Sequence, residues 1–188
     1  MDIGKTLYVS NREEWRSWLI KNHRKEKEIW LIYYKKNSGK KRIPYNDAVE
    51  EALCFGWIDS TVKKVDDERF AQRFTPRRSK SPISEMNKER VRMMIGDKKM
   101  TKAGLDAIAD YFDFEKDANK KFVISKDILK KLKSNKEAWK NFKLFSESYK
   151  RIRLSYLEDQ RGDDKVFQRS LKYFLRMTEK NKKFGMMR

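Results

Sequence analysis

The chain of 188 residues contains only one cysteine and one histidine, Cys54 and His23. A single cysteine cannot form an intramolecular disulfide, which fits a reducing compartment. Zinc and iron sites usually need several cysteine or histidine ligands, and the Ser-His-Asp and Cys-His mechanisms need a histidine as general base. His23 lies in a basic turn, where a solvent-exposed position is the simpler interpretation. We therefore expect no metal ion and no cofactor, and the common enzyme mechanisms find little support.

Long apolar runs and glycine-rich loops are also absent. No stretch approaches 18 uncharged apolar residues, so we expect no membrane-spanning helix. Residues 1–10 lack the apolar run of a signal peptide, from which we expect a cytoplasmic protein. The chain has seven glycines and neither G-x-x-x-x-G-K-[ST] nor G-x-G-x-x-G. The standard phosphate-binding loops are therefore excluded.

Positive charge is abundant. The chain has 47 Lys and Arg against 28 Asp and Glu, a formal net charge of +19. Residues 113–188 are the more basic part, with 22 Lys and Arg against 11 Asp and Glu. Such a balance favours polyanionic partners, namely nucleic acid, an anionic membrane surface or a phosphorylated small molecule. The alternative is that the charge serves only solubility.

Hydrophobic periodicity predicts an α+β fold, with a small, mainly antiparallel sheet packed by helices and a helical C-terminal extension. We expect helices over residues 11–22 and 46–55 and strands over residues 28–34, 57–65 and 69–75. The last two strands should form a hairpin. Helices are also expected over the ranges 84–95 and 102–112.

The sequence pattern predicts that the chain divides into a core, a linker and a helical C-terminal region. We expect an α+β core over residues 1–112, a charged linker over 113–121 and a basic helical region over 122–188. Capping boxes are predicted at two places, Ser10 with Glu13 and Ser134 with Glu137. An amphipathic stripe then follows at helical spacing over residues 139–156.

The segment over residues 52–87 has the most unusual character. Period-two geometry places Arg73, Thr75 and Arg77 on one side of a strand and Phe74 on the other. Arginine forks bind carboxylate and phosphate groups, and a helix start at Ser84 would add free backbone N–H groups. The alternative is a basic edge strand whose charges prevent edge-to-edge pairing. The candidate ligand-binding residues are Trp57, Asp59, Arg73, Thr75, Arg77, Arg78, Ser81, Ser84 and Asn87.

Linked motifs in this region resemble a known family. Residues 45–60 read YNDAVEEALCFGWIDS, residues 72–77 read QRFTPR, and Asn87 and the segment MTKAGL at 100–105 follow. This pattern resembles the YdeI/OmpD-associated (bacteriocin-protection) family over about residues 10–109. Ile83 stands where the family usually has a tryptophan. The resemblance implies association with a porin and resistance to bacteriocins or cationic antimicrobial peptides, and it assigns no catalytic residue.

The leading interpretation is a non-enzymatic, cytoplasmic binding protein that engages an anionic ligand or a protein partner through the arginine-rich segment. Its role would lie in stress or in bacteriocin or antimicrobial-peptide resistance. One alternative is a nucleic-acid-binding protein that uses the basic C-terminal helices. A weaker version of this alternative is low-affinity binding to nucleic acid without sequence preference. The other alternative is an enzyme in which Asp59 acts as acid or base beside Arg73.

Overall fold

The computed structural model describes residues 2–78, 81–113, 116 and 123–185. The chain separates into two units, Met1–Asp117 and Ala118–Arg188. The predicted α+β class is confirmed, because a sheet packed by helices is followed by a helical C-terminal region. The charged linker predicted over residues 113–121 lies, apart from Asp113 and Lys116, outside the described residues.

Four strands form the sheet of the N-terminal unit: β1 (Thr6–Tyr8), β2 (Ile29–Tyr34), β3 (Trp57–Lys64) and β4 (Arg69–Pro76). Their order across the sheet is β1-β2-β4-β3. The β2–β4 and β3–β4 pairs are antiparallel, whereas β1 runs parallel to β2. The hairpin of β3 and β4 was predicted, and the three-residue strand β1 was not.

Helices cover one face of this sheet. They are α1 (Arg12–Asn22), α2 (Tyr45–Cys54), α3 (Glu85–Gly96) and α4 (Lys102–Asp106), and a 3₁₀ turn at Lys36–Ser38 follows β2. The helix predicted over residues 102–112 is wrong in length, since α4 ends at Asp106 and turns follow it.

The two faces of the sheet carry different residues because side chains alternate along each strand. Ile29, Leu31 and Phe74 point to the helices and belong to the main core. Trp30 and Ala71 point the other way and form a smaller buried cluster. Only residues on the same face of the sheet can therefore contribute side chains to the same site.

Two glycines allow α4 to lie against the turn that leads from α2 into β3. Gly56 adopts a φ of +75°, a left-handed conformation that favours glycine. A Cβ atom on Gly104 would lie 2.3 Å from the carbonyl oxygen of Cys54. A side chain at either position would push these segments apart.

Ion pairs join α1 to α2. Glu50 and Glu51 are only 1% exposed. Arg12 contacts both carboxylates, and Arg16 Nη1 lies 2.6 Å from Glu51 Oε2. Buried carboxylates are rare in proteins unless a cation pairs with them, and here two guanidinium groups do so.

The C-terminal unit consists of helices α5 (Lys126–Ser134), α6 (Lys136–Leu144), α7 (Glu147–Asp159) and α8 (Asp164–Glu179). It has a hydrophobic core of its own, in which Ile128, Phe142, Leu157 and Leu171 are buried. Among the described residues, no helix is long and apolar enough to cross a membrane.

Three local predictions need correction. The N-cap of α1 is Asn11 and not Ser10, and the N-cap of α6 is Asn135 and not Ser134. The amphipathic stripe over residues 139–156 is not one helix, because the chain leaves α6 at Phe145 and starts α7 at the N-cap Ser146. In each case an adjacent residue adopts the extended conformation that a cap requires.

Candidate functional site

Arg73 lies on the face of the sheet that points away from the main core. Its neighbour in register on β2 is Trp30. Its Nε donates to the Glu28 carboxylate at 2.8 Å, and its Nη2 donates to the same oxygen. This contact with Arg73 lowers the pKa of Glu28, and a hydrogen bond from Trp30 adds to it. Arg73 therefore already has a counter-charge, and it shares its face with Thr75.

Trp57 occupies the opposite face and is 1% exposed. Its indole N–H donates to the carbonyl oxygen of His23 at 3.1 Å, and its ring meets Trp18 edge-on with centroids 5.7 Å apart. The structure thus separates Trp57 from Arg73 by the thickness of the sheet. Trp57 is part of the core.

Asp59 shares the face of Trp57 and accepts a hydrogen bond from the hydroxyl of Tyr45 at 2.7 Å. Burial, and after it the hydrogen bond to Asp59, raises the pKa of Tyr45, so this hydroxyl stays protonated at neutral pH. Tyr33 is 2% exposed, and its hydroxyl has no hydrogen-bond partner among the described residues. Burial, followed by the nearby Tyr45 and Asp59, raises the pKa of Tyr33 as well.

Arg90 joins the first turns of two helices. It is 8% exposed, and its Nη2 donates to Asn46 Oδ1 in α2 while its Nη1 donates to Asn87 Oδ1 in α3, both at 2.7 Å. Burial lowers the pKa of Arg90, against the opposing influence of Tyr45, Glu50 and Asp59. Both direct partners are neutral amides.

Arg77 lies beside the segment that leads into α3. Its Nη2 donates to the carbonyl oxygens of Ser81 at 2.9 Å and Pro82 at 3.2 Å. Its Nε is buried and has no partner among the described residues. Burial lowers the pKa of Arg77, and no charged group opposes this effect. Ser84, two residues after Pro82, is the N-cap of α3 and accepts from the Asn87 backbone N–H.

The sequence-predicted residues therefore fall into separate groups. Arg77, Ser81, Ser84 and Asn87 lie around the start of α3, Asp59 lies near them through Tyr45 and Arg90, and Arg78 is exposed. Arg73 and Thr75 occupy the other face of the sheet. We call Arg77, Ser84, Asn87 and Arg90 the α3 site.

Sequence reasoning missed Arg90 and Tyr45. A signal for Arg90 was present, because it follows Asn87 by three residues and such pairs share a helix face. Tyr45 opens the motif of residues 45–60 but carries no chemical signature by itself. Its partner Asp59 is 14 positions away, and only the fold brings the two together.

The arginines of the N-terminal unit differ in their partners. Burial opposes protonation of Arg12 and Arg16, yet contacts with Glu50 and Glu51 raise the pKa of Arg12, and contact with Glu51 raises that of Arg16. No carboxylate among the described residues lies within ion-pair distance of Arg77 or Arg90. Their guanidinium groups are therefore desolvated without a direct counter-charge.

The described residues hold no group of three or more His, Cys, Asp or Glu side chains that could bind a metal ion. Hydrogen-bond donors and positive charge are what the α3 site offers. Its chemistry suits an anion.

Comparisons with known families assign both parts of the chain. Residues 7–107 match the family described as a domain of unknown function, DUF8412, and this match covers more than half of the chain. The protein therefore belongs to that family, and the motifs of residues 45–60 and 72–77 lie within the match. Residues 121–181 match the family described as bacteriocin-protection, YdeI or OmpD-associated.

The predicted similarity to the YdeI/OmpD-associated family is thus confirmed for residues 121–181. Its match lies in the C-terminal unit, whereas the resemblance was expected over residues 10–109. No curated protein and no solved structure matches the chain.

Proposed function

We propose that the N-terminal unit is a binding protein for a small anionic ligand, which Arg77 and Arg90 hold at the α3 site. The observation that carries this proposal is the desolvation of two guanidinium groups without a carboxylate partner among the described residues. Burial of an unpaired charge is costly. A bound phosphate or carboxylate group would supply a direct counter-charge.

The local geometry supports an anion in two further ways. A guanidinium group presents paired donors that match the oxygens of phosphate and carboxylate. The first turn of α3 adds backbone N–H groups and the positive end of the helix dipole. Arg77 is held in place by the carbonyl oxygens of Ser81 and Pro82, so little side-chain entropy would be lost on binding.

The cellular part of the proposal rests on the family description. The description of the match over residues 121–181 includes bacteriocin protection and association with OmpD. We propose that the chain acts in the cytoplasm in such a resistance or stress response, with the anionic ligand as its signal or cargo.

Thermal unfolding in the presence of inorganic phosphate tests the proposal. A ligand that binds only the folded state adds about 2.7 kcal/mol at a concentration one hundred times its dissociation constant. For a chain of this length, we expect the Tm to rise by about 5–10 °C at constant ionic strength. No rise beyond that given by chloride would contradict the proposal.

Two matched variants identify the site. Arg77→Ala should abolish the rise with phosphate, because it removes a cation of the α3 site. Arg69→Ala removes the same charge from the other end of β4, where Arg69 is paired with Asp66, and should keep the rise. An equal loss of the phosphate-dependent rise in Tm in both variants would show that phosphate acts on the whole basic surface. The assignment of the ligand to the α3 site would then be wrong.

A further inference from the structure

A pocket of about 220 Å³ opens between α6 and α7 in the C-terminal unit. Its apolar walls are Ile124, Trp139, Phe142 and Leu154. The rings of Trp139 and Phe142 are nearly parallel, with an interplanar angle of 19° and centroids 6.0 Å apart. The pocket thus offers aromatic surface with a common orientation.

Charged side chains complete the pocket. Lys143 is exposed, its Nζ lies 5.9 Å from the Trp139 ring centroid, and no carboxylate among the described residues pairs with it. Lys150 differs, because its Nζ donates to Glu147 Oε1 at 2.8 Å and to the Lys143 carbonyl oxygen at 3.1 Å. Lys143 therefore provides a cation that an anionic group on a ligand could reach.

The size of the pocket limits its ligand. An engineered cavity of roughly 150 Å³ holds a benzene molecule, whereas drug-sized ligands occupy about 300–1,000 Å³. A volume near 220 Å³ fits one ring with a small substituent. The aromatic side chains favour a flat ring, and a lysine without a carboxylate partner among the described residues favours a negative substituent.

We propose that this pocket binds a small aromatic carboxylate. The ring lies against Trp139, Phe142 and Leu154, and the carboxylate faces Lys143. The site belongs to the C-terminal unit and is independent of the α3 site, so either proposal can fail without the other.

Titration of the full chain with sodium benzoate tests the pocket by two-dimensional ¹H–¹⁵N NMR at constant ionic strength. Trp139 is the only tryptophan after residue 57, and loss of its indole signal in Trp139→Phe assigns that resonance. We expect benzoate to shift this signal to saturation, benzyl alcohol to bind more weakly and phosphate to leave it unchanged. A linear, non-saturating response, or equal affinity for benzoate and benzyl alcohol, would overturn the proposal.

Three single-charge variants have different expected effects on the affinity for benzoate. Lys143→Gln should weaken benzoate binding by about fivefold, the value of one exposed ion pair. Glu147→Gln should strengthen binding, because it removes a negative charge at the pocket and releases Lys150. Lys140→Gln, one turn earlier on α6, should leave the affinity unchanged. Equal weakening by Lys140→Gln and Lys143→Gln would overturn the proposal, since only the net charge would then matter.

Discussion

Charged residues of the N-terminal unit are buried in two chemically different settings. Arg12 and Arg16 contact the carboxylates of Glu50 and Glu51. Arg90, by contrast, contacts two amide oxygens, and Arg77 contacts two carbonyl oxygens. The arginines paired with Glu50 and Glu51 have their charge neutralised within the protein and hold α1 on α2. Among the described residues, Arg77 and Arg90 contact only neutral oxygen atoms, so a ligand could neutralise their positive charge.

The paired arrangement predicts a large cost when its central carboxylate is removed. Glu51 is 1% exposed and accepts from both Arg12 and Arg16. Glu51→Gln keeps the shape but leaves two guanidinium groups short of a partner, so we expect a loss of about 3 kcal/mol in the free energy of unfolding. Urea denaturation measures it.

The exposed ion pair of Glu137 with Lys140 provides the control. Glu137→Gln should change the free energy of unfolding by less than about 0.5 kcal/mol. Similar losses in the two variants would contradict the structural role of Glu51.

The burial of Cys54 predicts that its thiol is unreactive at neutral pH. Cys54 is fully buried at the end of α2, and burial, followed by the charge of Glu51, raises the pKa of its thiol to about 11. The thiolate is the reactive form of cysteine. We therefore expect iodoacetamide to leave the native protein unlabelled at neutral pH and to label Cys54 completely in denaturant, as measured by mass spectrometry. Labelling of the native protein at the rate of a free thiol would contradict this burial.

At the scale of secondary structure, apolar runs predicted most elements. Strands β2, β3 and β4 and helix α2 appear within one or two residues of their predicted bounds, because each buries a continuous or periodic set of apolar side chains. The three-residue strand β1 was missed because so short a segment shows no pattern. Periodicity also predicted α6 and α7 as one stripe, since the apolar spacing continues across Ser146 although the helical conformation stops there.

The candidate site was predicted only in part for a similar reason. Asp59 and Asn87 belong to recognisable motifs and were named from the sequence. Arg90 depends on Asn46, 44 positions away, and this contact exists only in the folded chain. The ion pair that engages Arg73 likewise comes from Glu28 on a distant segment.

The choice of helix cap predicts a measurable difference between adjacent residues. Asn135 Oδ1 accepts from the Ala138 N–H at the start of α6, whereas the Ser134 hydroxyl donates to the Lys131 carbonyl oxygen. Asn135→Ala should therefore lower the free energy of unfolding by about 1 kcal/mol. Ser134→Ala should change it by less than half of that. Urea denaturation followed by circular dichroism measures both, and the reverse order would restore Ser134 as the cap.

At the scale of the whole molecule, structure and family comparison divide the chain in the same way. The main core of the N-terminal unit ends at Phe112, and the core of the C-terminal unit begins at Ile128. The two family matches cover residues 7–107 and 121–181. The proposed anion site and the proposed aromatic-carboxylate pocket thus rest on different cores and different families.

The net charge of +19 predicts weak binding to nucleic acid without sequence preference. Contacts to phosphate release counterions, so the affinity for duplex DNA should fall steeply between about 50 mM and 200 mM salt. Phosphate contacts carry no direct sequence information, and we therefore expect equal affinities for two unrelated duplexes in fluorescence anisotropy.

A preference for one of the two duplexes over the other is the decisive outcome of the anisotropy measurement. Lys and Arg are more frequent after residue 112, so charge alone would direct DNA to the C-terminal region but would not select a sequence. Sub-micromolar binding that differs between the two duplexes and persists at about 150 mM salt would require readout of base edges or of sequence-dependent DNA shape. That result would contradict non-specific binding and would make nucleic-acid recognition by the C-terminal helices the better account of the charge.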